Sequence, residues 1–507
     1  MMKSQNAVED LIDERCRLEI EFLKIISRQQ GEWIQIDQII GPLKISTRKG
    51  NKIIEALVQD ISQYGRPGYV LEQSKNRGVK LKVVDGEDIH QLIGYILSCS
   101  PLILLVEALF AKTFKNVAQY AQAQFLSEST VRRYLAKIST YLERYHLSLG
   151  KNGVEIVGDE KQVRGLMSMF YWRVYGGIQW PFQTVDEYQM EEFTSKLLDE
   201  LGVEIRQVPI LYRRQLTFYF AESIQRTRKG SVIIYEENWR KEIEQLYKFK
   251  EFKAAIQLHG NSFYMKHSEI VFHYIFILSM SITAYVVTPD ELNQFIKVSE
   301  KQGSEISISS NHFYQKLVSE FEIFPESLEI PLQGAIYSAH FFAKYFKGFN
   351  SDFNGNIYIN IFQERYPNLI EKILCLITEL HQETGLDIFF EEDFLLIPYT
   401  KIIGTLIPLC SFEREIYVVI ESDTPFLITS YFTNQIRQAF QERYNLILLT
   451  PFMTYDPERI DVVITTMAVD EIKQTYQKSK VLSVARDLDT REIKKMNQVF
   501  KSIAHKN

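Results

Sequence analysis

The chain has 507 residues, of which 46% are hydrophobic and 24% charged, with a formal net charge of −6. At roughly 100–200 residues per domain that length excludes a single core, and the composition excludes wholesale disorder and a collagen-like fibre. Charge is unevenly placed. Residues 1–170 hold 23 Lys+Arg against 20 Asp+Glu, and within 110–151 the balance is 7 to 2, so a basic front stands before an acidic body. Such a split suggests that only the front meets a polyanion. Cys16, Cys99, Cys375 and Cys410 lie far apart with no CxxC pair, which argues against a disulfide framework and for a reducing compartment. The first residues carry Glu9, Asp10, Asp13 and Glu14 with no apolar run, so they do not read as a signal peptide, and a cytoplasmic location is expected.

In chain order, Leu11–Ser27 carries a helical apolar stripe at Leu11, Leu18, Phe22, Ile25 and Ile26. A short segment from Trp33 to Ile40 is expected to stop at Gly41-Pro42. Ser46 caps a third helix reaching about Ile61, and two short strands, 69–71 and 79–83, flank Lys75, Asn76, Arg77 and Gly78. Three helices and a hairpin are the layout of a winged helix-turn-helix. The layout recurs. Ile89–Leu97, Leu102–Ala111 and Val117–Gln124 read as helices, Phe125-Leu126 as a tight turn, and Ser127 as the cap of a longer helix ending near Tyr145. A second hairpin surrounds Gly150–Gly153. In the helix after Ser127, Val131, Leu135, Ile138 and Leu142 fall at i, i+4, i+7 and i+11, which turns Arg132, Arg133 and Lys137 outward together.

From about Met167 to Thr400 long helical patterns dominate. Two stretches, Pro209–Gly230 and Pro331–Gly348, each open with Pro, run aromatic-rich and close at a basic-Gly end, suggesting two related bundles. Ile270–Thr288 is nearly all apolar, but His273, Ser279, Ser281 and Thr283 interrupt it, so a buried helix is expected rather than a membrane span. Strands at 415–420, 446–449 and 461–465 alternate with a helix over Phe432–Tyr444, as in a small open α/β sheet.

The sequence holds no GxGxxG, P-loop, HExxH or GxSxG, and no cofactor, metal site or enzymatic centre is expected. His267 and His273 are six residues apart, which is not the i, i+4 spacing of helical metal ligands. The helix-turn-helix candidates do have a mechanism. One α-helix fits the major groove of B-DNA, Arg reads guanine bidentately, and Lys, Ser and Thr hold phosphates. The second unit offers Ser127, Ser129, Thr130, Arg132, Arg133 and Lys137. The first offers Thr47, Arg48, Lys49, Asn51 and Lys52, with Lys75 and Arg77 at the wing.

The run FLSESTVRRYLAKISTYLERYHLSLGKNGVEIVGDEKQVR (Phe125–Arg164) resembles the helix-turn-helix of the Mga/AtxA family of regulators. The resemblance implies a multidomain, mainly α chain. It would have two winged helix-turn-helix units (1–85 and 86–166), two helical-bundle domains similar to phosphotransferase-system regulation domains (167–288 and 289–405), and a small EIIB-like α/β domain (412–507). It further implies a cytoplasmic, homodimeric transcription regulator, an activator that binds double-stranded DNA, is not membrane-bound, and is tuned by histidine phosphorylation from phosphorylated HPr. His340 and His273 are the phosphoacceptor candidates on that reading; the first bundle's usual histidine position falls near Gln215. An EIIB cysteine would fall within Glu421–Thr424, which holds none, so that domain is expected to be an interaction or dimerisation module. Two alternatives remain: a phosphotransferase-system carrier, and an RNA-binding antiterminator with the same regulation domains.

Overall fold

The structure, a computed structural model, describes residues 7–29, 31–203, 208–260, 263, 265–280, 289–323, 330–352, 354–485 and 488–504. It is mainly helical with three small sheets. The chain divides into two compact units built from non-contiguous segments. The first takes residues up to Gln315 with Pro325–Ile357 and Leu386–Phe394; the second takes Lys316–Phe324, Tyr358–Gly385 and Leu395 onward.

The first unit opens with a 3-10 turn, Glu9–Leu11, then α1 (Glu14–Ser27), α2 (Ile36–Leu43), α3 (Thr47–Tyr64) and a hairpin of β1 (Tyr69–Ser74) and β2 (Gly78–Val83). Asp13 caps α1 by accepting from Cys16 N at 2.9 Å, and Ser46 caps α3 by accepting from Lys49 N at 3.3 Å. α2 departs from the sequence reading, because it runs through Gly41-Pro42 and stops only at Lys44, whose φ is +53°. Proline crowds the Cβ of the residue before it, and Gly41 has none, so the last turn stays helical. The hairpin register runs from Tyr69 opposite Val83 to Ser74 opposite Gly78. Ile34 joins its edge, exchanging 2.9 Å backbone bonds with Val79. That approach requires glycine at 78, where a Cβ would lie 2.0 Å from the Ile34 carbonyl oxygen.

Next come α4 (Ile89–Ser98), α5 (Pro101–Phe110), α6 (Val117–Ala123), α7 (Glu128–Glu143) and a short pair, β3 (Ser148–Leu149) with β4 (Ile156–Val157). The Asn116 side chain caps α6 and Ser127 caps α7. Val131, Ile138 and Leu142 are fully buried as their spacing expects, Leu135 is only half-buried, and Tyr141 completes the stripe.

α8 (Glu160–Tyr175), α9 (Glu187–Glu200), α10 (Ile210–Arg228), α11 (Trp239–Glu242), α12 (Tyr247–His259) and α13 (His267–Ser279) follow, then α14 (Pro289–Gln302), α15 (Glu305–Phe321) and α16 (Ile330–Tyr345). α8 packs on α10 and α4, and α13 on α16. α13 is buried from Glu269 to Ser279, and the rest of the apolar run, 281–288, lies outside the described residues. Among the described residues no single helix is long and apolar enough to cross a membrane.

A buried ionic network sits at the head of α8. Arg164, wholly buried, bonds both oxygens of buried Glu269 and donates to Glu160 Oε1 at 3.2 Å. Glu269 also accepts from Ile233 N at 2.9 Å. Arg226 pairs with Glu160 and donates to the Phe110 carbonyl at 2.9 Å, which ties the end of α10 to the end of α5. Beyond α16, the Gln162 side-chain amide bonds both backbone groups of Lys347, and Gly348 N donates to Glu391 Oε2 at 2.7 Å. Gly348 has φ +75°, and a Cβ there would sit 1.9 Å from the Arg144 carbonyl oxygen. The Phe349 ring meets Tyr145 at 4.8 Å.

The second unit contains α17 (Ile359–Arg365), α18 (Pro367–Thr384) and part of α19 (Glu392–Leu406). Its four-stranded parallel sheet has the order β6 (Leu446–Leu449), β5 (Ile416–Glu421), β7 (Val462–Thr465), β8 (Lys480–Ser483). α20 (Phe426–Phe440) and α22 (Thr490–Ala504) cover one face through Phe432, Ile436, Phe440, Met496, Phe500 and Ile503. The other face carries Val419, Val463 and Tyr476, near α21 (Asp470–Thr475). Nearly continuous aliphatic strands are what burial on both faces demands. α20 starts six residues before the sequence reading placed it, because Pro425 opens it, and it ends at Phe440.

Candidate nucleic-acid interface and buried histidines

Helix α7 is positioned by its inward stripe and by its cap. Ser127 Oγ accepts from Thr130 N at 3.2 Å and lies 2.8 Å from Ser129 Oγ and 2.9 Å from Thr130 Oγ1, so three hydroxyls line the first turn. A helix N-terminus with exposed hydroxyls and N–H groups is an electropositive end suited to phosphate. Arg132 and Arg133 are both exposed, as their register expects. Arg132 pairs with Glu128 at 3.2 Å across one turn; the pair is two-thirds and half exposed, and such surface pairs are weak. Lys137 is exposed as well, but its ammonium is turned away from the two guanidiniums. Its ammonium donates to the Ile12 carbonyl at 2.7 Å, and burial there holds its pKa below the usual lysine value. Arg144 is likewise engaged by Asp10 at 2.7 Å. The 3-10 turn and its flanks therefore occupy the C-terminal half of α7 and leave the N-terminal half open.

In the first unit, Thr47, Arg48, Asn51 and Lys52 are exposed along the start of α3. Lys49 is drawn aside by Glu14 at 2.6 Å. Lys75 and Arg77 stand exposed at the hairpin tip, where the Arg77 guanidinium lies 5.9 Å from the Trp33 ring centre. That cation–π contact orients the wing and was not anticipated from the sequence. Lys112 and Lys115 before α6 add to the charge flanking α7. They contribute to the basic balance of 110–151 but carry no periodicity that would single them out as contact residues.

His340 on α16 is completely buried. Its Nδ1 lies 2.9 Å from Ser309 Oγ and 3.0 Å from Ser310 Oγ, with Phe313 and Phe389 edge-on. Burial pushes its pKa down to about 3, so the ring is neutral at physiological pH. His273 on α13 is also buried, with Nδ1 2.8 Å from Tyr219 Oη. Burial, then the Arg164 charge, hold its pKa well below the ordinary value. Gln215 is buried and donates to Asn354 Oδ1 at 2.8 Å. In the second unit, the loop after β5 holds the hydroxyls of Ser422 and Thr424, which meet buried Thr429 in the first turn of α20, and Asp423 accepts from Thr466 at 2.8 Å. Cys410 lies before β5, its thiol donating to the Gln441 carbonyl at 2.9 Å, and burial pushes its pKa up. Phe426, Leu427, Ile428, Tyr431, Phe452 and Met467 are exposed around the loops that follow β5, β6 and β7.

A capped outward helix that follows a short helix and a tight turn, backed by a hairpin, defines the helix-turn-helix class of protein. Residues 85–171 match the Mga helix-turn-helix domain. The chain is similar to several Mga-like regulators over part of its length. It is 24% identical over 280 residues to the capsule synthesis positive regulator AcpA of Bacillus anthracis, covering 54% of this chain and 55% of that protein. To the capsule synthesis positive regulator AcpB of the same organism it is 20% identical over 219 residues, covering 43% and 44%. The anthrax toxin expression trans-acting positive regulator of Bacillus anthracis is 25% identical over 222 residues, covering 43% and 45%. The matched part spans about half the length of these relatives.

Proposed function

We propose that this protein is a DNA-binding transcription activator. Two winged helix-turn-helix units would meet the duplex, with α7 and α3 as recognition helices and the hairpin tip at 75–77 as a wing. The observation that carries the reading is the open N-terminal half of α7, with three hydroxyls and two outward guanidiniums and little acid around it. His340 and His273 are proposed as sites where phosphate from phosphorylated HPr tunes activity. Each is a neutral imidazole, the nucleophilic form. A dianion gained in such a buried site would force repacking. The second unit is proposed as the homodimerisation module, because apolar side chains crowd one end of its sheet and the loop after β5 has hydroxyls where a carrier would need a thiol.

The test is retention of duplexes from a random-sequence pool, followed by affinity measurements at several salt concentrations. Arg132→Ala/Arg133→Ala is expected to weaken binding at least tenfold and to lower the slope of log affinity against log salt by about two for each bound protomer. Unchanged affinity in that double variant would refute the reading.

A further inference from the structure

Phe125 stands in the turn between α6 and α7 with 97% of its surface exposed. Its backbone φ is +52°, in the left-handed region, fixed by Phe125 N to Gln122 O at 3.3 Å and Leu126 N to Ala121 O at 2.8 Å. Among the described residues the other non-glycine positions at positive φ are Lys44, Lys112, His146 and Glu322, all polar. Phe125 is thus an aromatic residue where glycine or asparagine is at ease, and its ring is left in water. Neither the turn nor the core uses that ring.

The surface around it indicates an occupant. From 112 to 133 the chain carries Lys112, Lys115, Arg132 and Arg133 against Glu128 alone, and Glu128 is paired with Arg132. Gln122, Ser127 and Ser129 are exposed beside the turn. A cationic, hydroxyl-rich surface matches a phosphate backbone. A single ring within it matches the apolar parts of a duplex, which are the deoxyribose edge and the thymine 5-methyl group in the major groove.

We propose that Phe125 is a specificity-determining contact that packs its ring against thymine methyl and sugar at the edge of the groove entered by α7. The proposal rests on the DNA-binding reading above, and the experiment separates the two. Duplexes retained by the native chain are titrated at several salt concentrations with native protein, Phe125→Gly, Phe125→Asn and Arg133→Ala, with melting followed by tryptophan fluorescence. Glycine and asparagine suit the positive φ, so both Phe125 variants should melt at or above the native temperature. Both should nevertheless bind about fivefold or more weakly with the native salt slope, because the lost contact is apolar. Arg133→Ala should lower that slope by about one for each bound protomer. Replacing thymine with deoxyuridine throughout the site should weaken the native protein and leave Phe125→Gly unaffected. Native affinity in both Phe125 variants, with Arg133→Ala impaired, overturns the contact and leaves the DNA reading standing. Failure of the native chain to retain any duplex overturns both.

Discussion

Replacing Arg164 with Met tests what holds the first unit together. The guanidinium is wholly buried, bonds both Glu269 oxygens, and also reaches Thr227 Oγ1 at 3.2 Å and the Ser231 carbonyl at 3.3 Å. Methionine fills similar volume, so the loss is electrostatic rather than a cavity. It strands a carboxylate that is 1% exposed, with Ile233 N as its remaining donor. Removing one partner of such a pair costs about 3–5 kcal/mol, whereas neutralising both costs far less. Arg164→Met/Glu269→Gln, which keeps an acceptor for Ile233, should therefore recover about 2 kcal/mol or more of the single variant's loss. All four tryptophans (Trp33, Trp172, Trp180, Trp239) lie in the first unit, so urea unfolding followed by their fluorescence reports that unit alone. The pH dependence has a definite sign. A carboxyl left without its cation binds a proton more tightly folded than unfolded, so the Arg164→Met deficit should shrink as pH falls from 7 to 5. A single variant within 1 kcal/mol of native, or a double variant no better than the single, refutes the reasoning.

Two further perturbations use the same fluorescence assay. Burial raises Glu107, which accepts a hydrogen bond from Tyr175, from 4.5 to about 7. A carboxyl raised on folding stabilises at pH below 4.5 and loses that stabilisation as pH climbs to 7. The full difference is at most about 3 kcal/mol, so Glu107→Gln should gain on the native protein across that window and stay level above it. Gly348→Ala should cost more than about 2 kcal/mol, because its Cβ meets a carbonyl as well as an unfavourable φ, whereas Gly202→Ala, at φ +70° in open space, should cost about 1. Equal losses at the two glycines would show that the close approach to Arg144 carries no weight.

Local signals made much of this molecule legible. Ser127 with Val131, Ile138 and Leu142 marks a capped amphipathic helix within one continuous stretch, and the outward turn of Arg132 and Arg133 follows from the period. The aliphatic runs read at 415–420 and 461–465 mark buried strands, which the structure places at Ile416–Glu421 and Val462–Thr465. What was not legible depends on partners far along the chain. Lys137 has the register of a solvent-facing residue, but the carbonyl that captures it belongs to Ile12, 125 positions away. His340 could be singled out by its helix, yet Ser309 and Ser310 reach it from α15. The continuation of α2 past Gly41-Pro42 turned on one absent Cβ, which a rule that reads proline as a stop overlooks.

The clasp formed by Gln162, Lys347 and Gly348 gives two distant side chains a common anchorage. His340 lies five residues before the end of α16, about 8 Å of helical rise. Just beyond that end the backbone presses on the Arg144 carbonyl, one residue past α7, through a position where no methyl group fits. The helix that hides the imidazole and the helix that displays the guanidiniums thus run out to a single tight seat, where the backbone at 348 meets the Arg144 carbonyl and leaves no room for a side chain.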